Sequence, residues 1–472
     1  MLSPSKCTQK TSLEPLRLPS QSMLAFLLGC SAFSGQPRDE GLREVRHSGG
    51  SALCDDVTQY SGYFKLATGD KHYFYWFFAS RSSPSTDPVV MWMTGGPGCS
   101  SEVALFGENG PCSVSEDGSH TIPNKYSWNS RANLLYVDQP TGTGFSYGRG
   151  LDHNEQGVAA DMYSFLQHFF KAHSDLSPLD FFVVGESYAG HYVPAVTHEV
   201  WKRNKVLAEG DVHINLKGTS IGNGLTDPAI QYKYYKDMIV STNHHKAAVG
   251  AVTHAAMVAA TPACIAAIKA CELIGTVSCI VATEVCNAGL LIPYTLTGMN
   301  PYDMREKCAK PPLCYDFSNV ATYLDLPHVR ATLGVGSRKW SDCNREVALM
   351  FELSGDWMQS YQQLLPDQLA DGIRVLIYAG DQDYICNWLG NQAWTQALNW
   401  PHRAEFNSTL PKPWMAGGQS AGTLQSSNGF SFLRVFEAGH MVRCSPCLMR
   451  SLHSYPRQRW FLELRKVIIM II

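Results

Sequence analysis

The chain has 472 residues, 45% of them hydrophobic, enough for a large buried core and too many for a disordered protein. Its 38 basic and 41 acidic residues leave a net charge of −3 with no basic run, so the electrostatic footprint of a nucleic-acid binder is missing. Fifteen cysteines, several at disulfide-like spacings, favour an oxidising compartment, and the one CxxC, Cys444 to Cys447, has no second pair to complete a zinc site.

Within residues 1–50, MLAFLLGCSAFSG from Met23 to Gly35 has the length and small-residue ending of a secretory leader. A membrane span needs about 20 apolar residues, which neither this segment nor the closing VIIMII supplies, so no span is expected. From about residue 58, YSGYFKL and HYFYWFFAS read as paired strands, and DPVVMWMTGG as an apolar strand ending in glycines. NLLYVDQP and LDFFVVGES are short buried strands, with the helical GVAADMYSFLQHFFKAH between them. Strand, helix, strand with apolar strands predicts a parallel sheet covered on both faces.

Between about 235 and 310 the texture becomes Ala-rich and helix-favouring, with Cys264, Cys271, Cys279 and Cys286 nested symmetrically. This reads as an inserted helical cap, after which strands resume at DGIRVLIYAGDQD and FLRVFEAGH. The predicted organisation is a leader over 1–50, core over 51–234, cap over 235–345, core over 346–442 and a tail over 443–472. A sequon at Asn407 fits a glycosylated secretory product.

Ser187 follows the strand FFVVG and precedes the helical YAGHYVPAVTHEVWKRNK, the setting of a nucleophile elbow, although G-x-S-x-G is here G-E-S-Y-A. A serine hydroxyl needs an imidazole to take its proton, and the imidazole needs a carboxylate to fix its tautomer. Later strand ends supply both in the order serine, acid, histidine: AGDQD offers Asp381 or Asp383, and EAGHMV offers His440. Spacing leaves the two aspartates undecided. His191, four residues after Ser187, reads as a packed or solvated residue. TGGPGCSS after a strand offers backbone N–H groups for a developing oxyanion, each worth about 3 to 4 kcal/mol; a phosphate loop is disfavoured because G-x-x-x-x-G-K-[ST] is absent.

Taken together, WMTGGPGCSS, NKYSWNSRANLLYVDQPTGTGFSY, VVGESYAGHYVPA, IGNGLTDP, YAGDQDYICNWLGN and GHMV occur in an order that resembles the serine carboxypeptidases, from about residue 58 to Val442. The resemblance implies an α/β-hydrolase fold with a mixed central sheet and an inserted, disulfide-rich helical cap. It implies release of C-terminal residues from peptides and proteins through an acyl-enzyme, without cofactor or metal. It implies Asp383 as the triad acid and the N–H groups of Gly96 and Tyr188 as oxyanion donors. It further implies that Thr94, Gly95 and Glu186 hold the substrate carboxylate, with the Glu186 carboxyl paired to that of Glu108. Two close acids cannot both ionise cheaply, so one stays protonated as a donor, and binding is expected to be best at acidic pH.

The same resemblance implies pockets for apolar or aromatic residues lined by Ile385 and Cys386, the latter a free thiol. It implies the cross-links Cys99 with Cys343, Cys264 with Cys286, Cys271 with Cys279, and Cys308 with Cys314; seven cysteines then remain, among which Cys54 with Cys112 is a guess outside the resemblance. Two features depart from the family pattern: Thr94 stands where asparagine is usual, and the segment after Val442 does not follow it. The rival readings are an acyltransferase on the same scaffold and, because of the tail, an inactive binding or protective protein.

Overall fold

The computed structural model describes residues 53–241 and 249–442, together with the backbone of Arg43–Val45. The leader, the tail and Cys444 with Cys447 lie outside the described residues.

A twelve-stranded mixed sheet organises the fold. Its strands, in chain order, are β1 (Arg43–Val45), β2 (Gln59–Lys65), β3 (Lys71–Phe78), β4 (Val89–Thr94), β5 (Asn133–Val137), β6 (Tyr147–Gly148), β7 (Phe181–Glu186), β8 (Leu216–Gly222), β9 (Arg374–Gly380), β10 (Lys412–Ala416), β11 (Gln419–Ser427) and β12 (Phe430–Val435). They are arranged β1-β2-β3-β5-β4-β7-β8-β9-β12-β11-β10, with β6 beside β3. From β5 to β12 every neighbour is parallel, and antiparallel hairpins close both flanks.

The parallel centre forms because its strands are apolar on both faces. Met91, Met93, Val183 and Ile377 pack into one buried layer, and Val90, Trp92, Phe182 and Leu376 into the other. The first layer is covered by α2 (Glu155–Ala172) and α3 (Ala189–Lys205), which contribute Phe165, Leu166, Val193 and Val196. The second is covered by α1 (Glu102–Gly107), α6 (Ser318–Leu324) and α7 (Pro327–Leu333), through Val103, Leu105, Val320 and Val329.

Strand β8, LKGTSIG, escapes a hydrophobic-run criterion because its small residues make room for neighbours. A Cβ at Gly222 would come within 2.1 Å of the Tyr378 ring on β9.

From the end of β8 to the start of β9 the sheet is interrupted over 223–373, a wider span than the cap expected at 235–345. Its most distinctive part is a hairpin of α4 (Ala251–Ile274) and α5 (Thr276–Cys286), turning at Gly275, whose φ is 107°. Met257, Cys264, Ile268 and Cys271 point inward and are buried, and disulfides Cys264–Cys286 and Cys271–Cys279 join the two helices. By length and composition alone, Ala251–Ile274 and Thr276–Thr295 are apolar enough to cross a membrane, a property the search for spans at the two ends of the chain overlooked. Here they form a cross-linked pair resting on the segment that follows α8 (Arg345–Ser354).

Candidate active site

The chemistry gathers where the parallel strands end. β7 runs into Ser187 and Tyr188 and then into α3, so the chain turns from strand to helix within two residues. Ser187 takes φ 67°, a left-handed conformation costly for a residue with a Cβ, and its N–H donates to the Gly222 carbonyl at 3.1 Å. The loop after β4 lies hard against this turn: a Cβ at Gly95 would meet the Tyr188 nitrogen at 2.4 Å and the Glu186 carbonyl at 2.6 Å. Glycine is therefore required there by close approach. Tyr188 is the N-terminal cap residue of α3, where amide N–H groups have no helical acceptor, and Gly96 follows Gly95 in the facing loop.

His440 and Asp383 come from the loops after β12 and β9. The imidazole Nδ1–H donates to Asp383 Oδ2 at 2.7 Å, which leaves Nε2 to act as a base. Both groups are buried, Asp383 completely. Asp383 Oδ2 also accepts from Asn223 Nδ2 at 2.8 Å, and its Oδ1 accepts from the Cys386 N–H at 3.3 Å. The His440 N–H donates to the Tyr302 carbonyl at 2.7 Å, and the Tyr302 ring meets the imidazole edge-on at 5.1 Å.

Asp381 has a different set of partners. Its carboxylate accepts from Arg434 Nη2 at 3.0 Å, from the Glu437 N–H at 2.8 Å and from Gln382 at 2.9 Å. It braces the turn, while Asp383, two residues on, faces the histidine. His191 is fully buried, stacks on Tyr188 with centroids 4.5 Å apart, and bonds the Gln359 carbonyl through Nε2 at 3.1 Å. Burial lowers its pKa, so it stays neutral and serves packing.

A cavity of about 790 Å³ opens over Ser187 and His440. It is lined by Thr94, Gly95, Gly96, Glu108 and Glu186 and by the aromatic residues Tyr302, Tyr315, Phe317 and Trp340. Glu186 is buried, with Oε1 at 3.9 Å from His440 Nε2. The charges of Glu186 and Glu108 both act on the buried Tyr378 hydroxyl, whose pKa rises first through burial and then through these carboxyls. The Thr94 hydroxyl accepts from the Trp92 indole at 3.0 Å, which leaves its own O–H to donate.

Ile385 and Cys386 are not among the described residues lining this cavity. After Asp383 the chain turns inward: the Ile385 N–H donates to the Pro301 carbonyl at 3.0 Å, and the Ile385 carbonyl accepts from Tyr235 Oη at 2.6 Å. Cys386 is a buried free thiol behind Asp383. Burial, then the charges of Asp383 and Glu186, push its pKa well up, so it remains neutral. Asp383, Cys386 and His440 converge within 4.8 Å, but a neutral thiol and an aspartate already committed to His440 and Asn223 make a poor metal donor set.

Disulfides join Cys54–Cys112, Cys99–Cys343, Cys264–Cys286, Cys271–Cys279 and Cys308–Cys314. Cys99–Cys343 fastens the loop after β4 to the interrupting segment. Asn407 is exposed at the end of a short helix, Arg403–Ser408.

Two contributors escaped sequence reasoning, Asn223 and Tyr302. Asn223 was legible in principle: an asparagine flanked by glycines after a strand suits its φ of 42°. Tyr302 was not, since only the tertiary fold brings its carbonyl to His440.

The serine carboxypeptidase family model matches residues 51–449. A serine carboxypeptidase-like protein of Oryza sativa subsp. japonica is 46% identical over 404 residues, covering 84% of this chain and 91% of the relative. Carboxypeptidase Y of Candida albicans is 42% identical over 390 residues, covering 82% and 71%. Among solved structures, Kex1(delta)p, a prohormone-processing carboxypeptidase from Saccharomyces cerevisiae, superposes with a TM-score of 0.74 at 26% identity, covering 88% of this chain and 91% of that one. A family model spanning more than three hundred residues, relatives above 40% identity and a shared fold agree with the geometry at the strand ends: this chain belongs to the serine carboxypeptidase family and is a serine-type exopeptidase.

Proposed function

We propose that Ser187 attacks the last peptide bond of a substrate, with His440 as base, Asp383 as its orienting acid, and the N–H groups of Gly96 and Tyr188 as oxyanion donors. The observation that carries this is the 2.7 Å hydrogen bond from His440 Nδ1 to a fully buried Asp383, beside a cavity shared by Ser187 and His440. With Nδ1–H committed to the carboxylate, Nε2 takes the Ser187 proton as Oγ bonds the carbonyl carbon. The same imidazolium returns that proton to the departing amine, and water then hydrolyses the acyl-enzyme by the reverse proton path.

Glu108 and Glu186 are assigned to the substrate's terminal carboxylate, together with Thr94 and Gly95. Two carboxyls facing one small volume favour a shared proton, which makes the protonated member a donor. The reading predicts a preference for acidic pH and for free C-termini. The aromatic lining of Tyr302, Tyr315, Phe317 and Trp340 supports an apolar or aromatic terminal residue. Five disulfides among the described residues support an oxidising, secretory-route compartment.

The test is turnover of a blocked dipeptide at acidic pH against its C-terminal amide. Preferential release of the free-acid residue, with Ser187 labelled by a serine-directed phosphonylating reagent, supports the reading. Turnover of neither, with Ser187 unlabelled, overturns it.

A further inference from the structure

The left-handed Ser187 turn is strained, and strain at such a site persists only when its surroundings over-determine the conformation. The neighbour that supplies this hold is Tyr188. Its ring is fully buried, stacked on His191 and also on Trp357, at 5.3 Å, with Phe351 edge-on at 5.8 Å. Its hydroxyl donates to Asp356 Oδ2 at 2.5 Å, and the other Asp356 oxygen accepts from Tyr361 at 2.7 Å. Burial, followed by the charge of Asp356, raises the Tyr188 pKa well above its ordinary value, so the phenol is always the donor.

Phe351, Asp356, Trp357, Gln359 and Tyr361 belong to one strap, the end of α8 and the turn after it. Its far side is fastened to the helical hairpin. Gln359 Nε2 donates to Cys279 Sγ at 3.2 Å and to Cys271 Sγ at 3.5 Å, and a Cβ at Gly355 would come within 2.4 Å of Cys279 Cβ. One short segment thus touches both the nucleophile turn and the Cys271–Cys279 disulfide.

We propose that Asp356 is a positioning residue for the reaction: by holding the Tyr188 hydroxyl it fixes the turn that carries Ser187 and the Tyr188 N–H, and through its strap it ties that turn to the disulfide-braced hairpin. The proposal rests on the assignment of the Tyr188 N–H as an oxyanion donor made above. Asp356 touches no reacting atom. A displaced oxyanion donor weakens the transition state while leaving ground-state binding alone, so its removal acts on kcat rather than KM.

The experiment measures kcat and KM for the free-acid blocked dipeptide, with thermal unfolding alongside. Tyr188→Phe and Asp356→Ala are each expected to lower kcat about 10- to 100-fold with KM within about twofold. Asp356→Asn retains an acceptor oxygen and recovers kcat to within about threefold of wild type. The double variant is no worse than the weaker single, because both remove one contact. Tyr361→Phe removes the other Asp356 bond without touching Tyr188, and keeps kcat within about threefold even where it lowers the melting temperature as much as Asp356→Ala does.

Additive losses, losses confined to KM, or a folded Tyr188→Phe enzyme with wild-type kcat overturn the proposal. So does a Tyr361→Phe loss that tracks melting temperature alongside the other variants, since that pattern marks general destabilisation. An inactive wild type with unlabelled Ser187 instead overturns the carboxypeptidase assignment. Wild-type turnover with an indifferent Tyr188→Phe overturns the role of Asp356 alone.

Discussion

The strand ends and the helical hairpin are held in place in opposite ways. At the strand ends each functional group is buried and fixed by hydrogen bonds, as in the series from Asn223 to Asp383 to His440 to the Tyr302 carbonyl. The hairpin is fixed by two disulfides and turns much of its aliphatic surface outward, with Leu273 87% and Val277 77% exposed. Precision of placement sits at the strand ends, and in the insertion covalent cross-linking adds to the packing of Met257, Cys264, Ile268 and Cys271. Substitutions in the first region should therefore be read in rates, and substitutions in the second in stability.

The largest expected contrast lies within a single turn. Asp383→Asn removes the charge that stabilises the imidazolium and favours the wrong imidazole tautomer, and should lower kcat by about 10⁴. Asp381→Asn, two residues away, should change kcat less than about tenfold, because its partners are Arg434 and the Glu437 N–H. Steady-state hydrolysis of a blocked dipeptide checks both; equal losses would dissolve the distinction between the triad acid and the turn brace. Next, Cys264→Ser with Cys286→Ser opens a loop of sequence separation 22 and should cost about 3 kcal/mol of stability, read by denaturant unfolding. Its kcat should stay within a few-fold of wild type if the two regions divide their roles as described.

Asn223→Ala removes the bond to Asp383 and the one from the Gly380 N–H and puts alanine at a φ of 42°, so it should lower kcat about tenfold and lower the melting temperature as well. The smallest effect concerns pH. Burial, then the charges of Asp356 and Asp152, raise the pKa of Glu155 well above 4.5. A carboxyl that binds its proton more tightly in the folded state contributes stability that is full below pH 4.5 and lost as pH rises. Glu155→Gln is neutral throughout, so it should gain stability on wild type as pH rises from 4 to 7.5. Thermal unfolding of the two proteins at each pH checks this. His173, lowered by burial to about 4, acts in the opposite sense as pH falls below 6.5, and cancels when variant and wild type are compared at one pH.

Much of the site was legible because its chemistry leaves local marks. Close backbone approach demands the glycine after β4, while the serine in a strand-to-helix turn and the histidine after a later strand are marked by their order along the chain, and the structure brings them to one cavity. What separates Asp381 from Asp383 was not legible, since the deciding partners, Arg434 for one and Asn223 with His440 for the other, are brought together only by tertiary structure. Ile385 and Cys386 were expected to line substrate pockets; they are not among the residues lining the described cavity, and the Ile385 backbone is hydrogen-bonded to the Pro301 carbonyl and the Tyr235 hydroxyl. The parallel strands other than β8 were readable as apolar runs. β8, β10 and β11 were not, because small and polar residues build them and packing, not hydrophobic pattern, makes them strands.

The central claim is that Glu186 turns a hydrolase elbow into a reader of free C-termini by sharing a proton with Glu108. The direct measurement is KM for the free-acid dipeptide from pH 5 to pH 7.5, in wild type and in Glu186→Gln. The account predicts that wild-type KM rises at least about tenfold as the shared proton is lost, while the glutamine variant, whose amide donates at every pH, shows a flat KM. A rise in Glu186→Gln as steep as in wild type would contradict it.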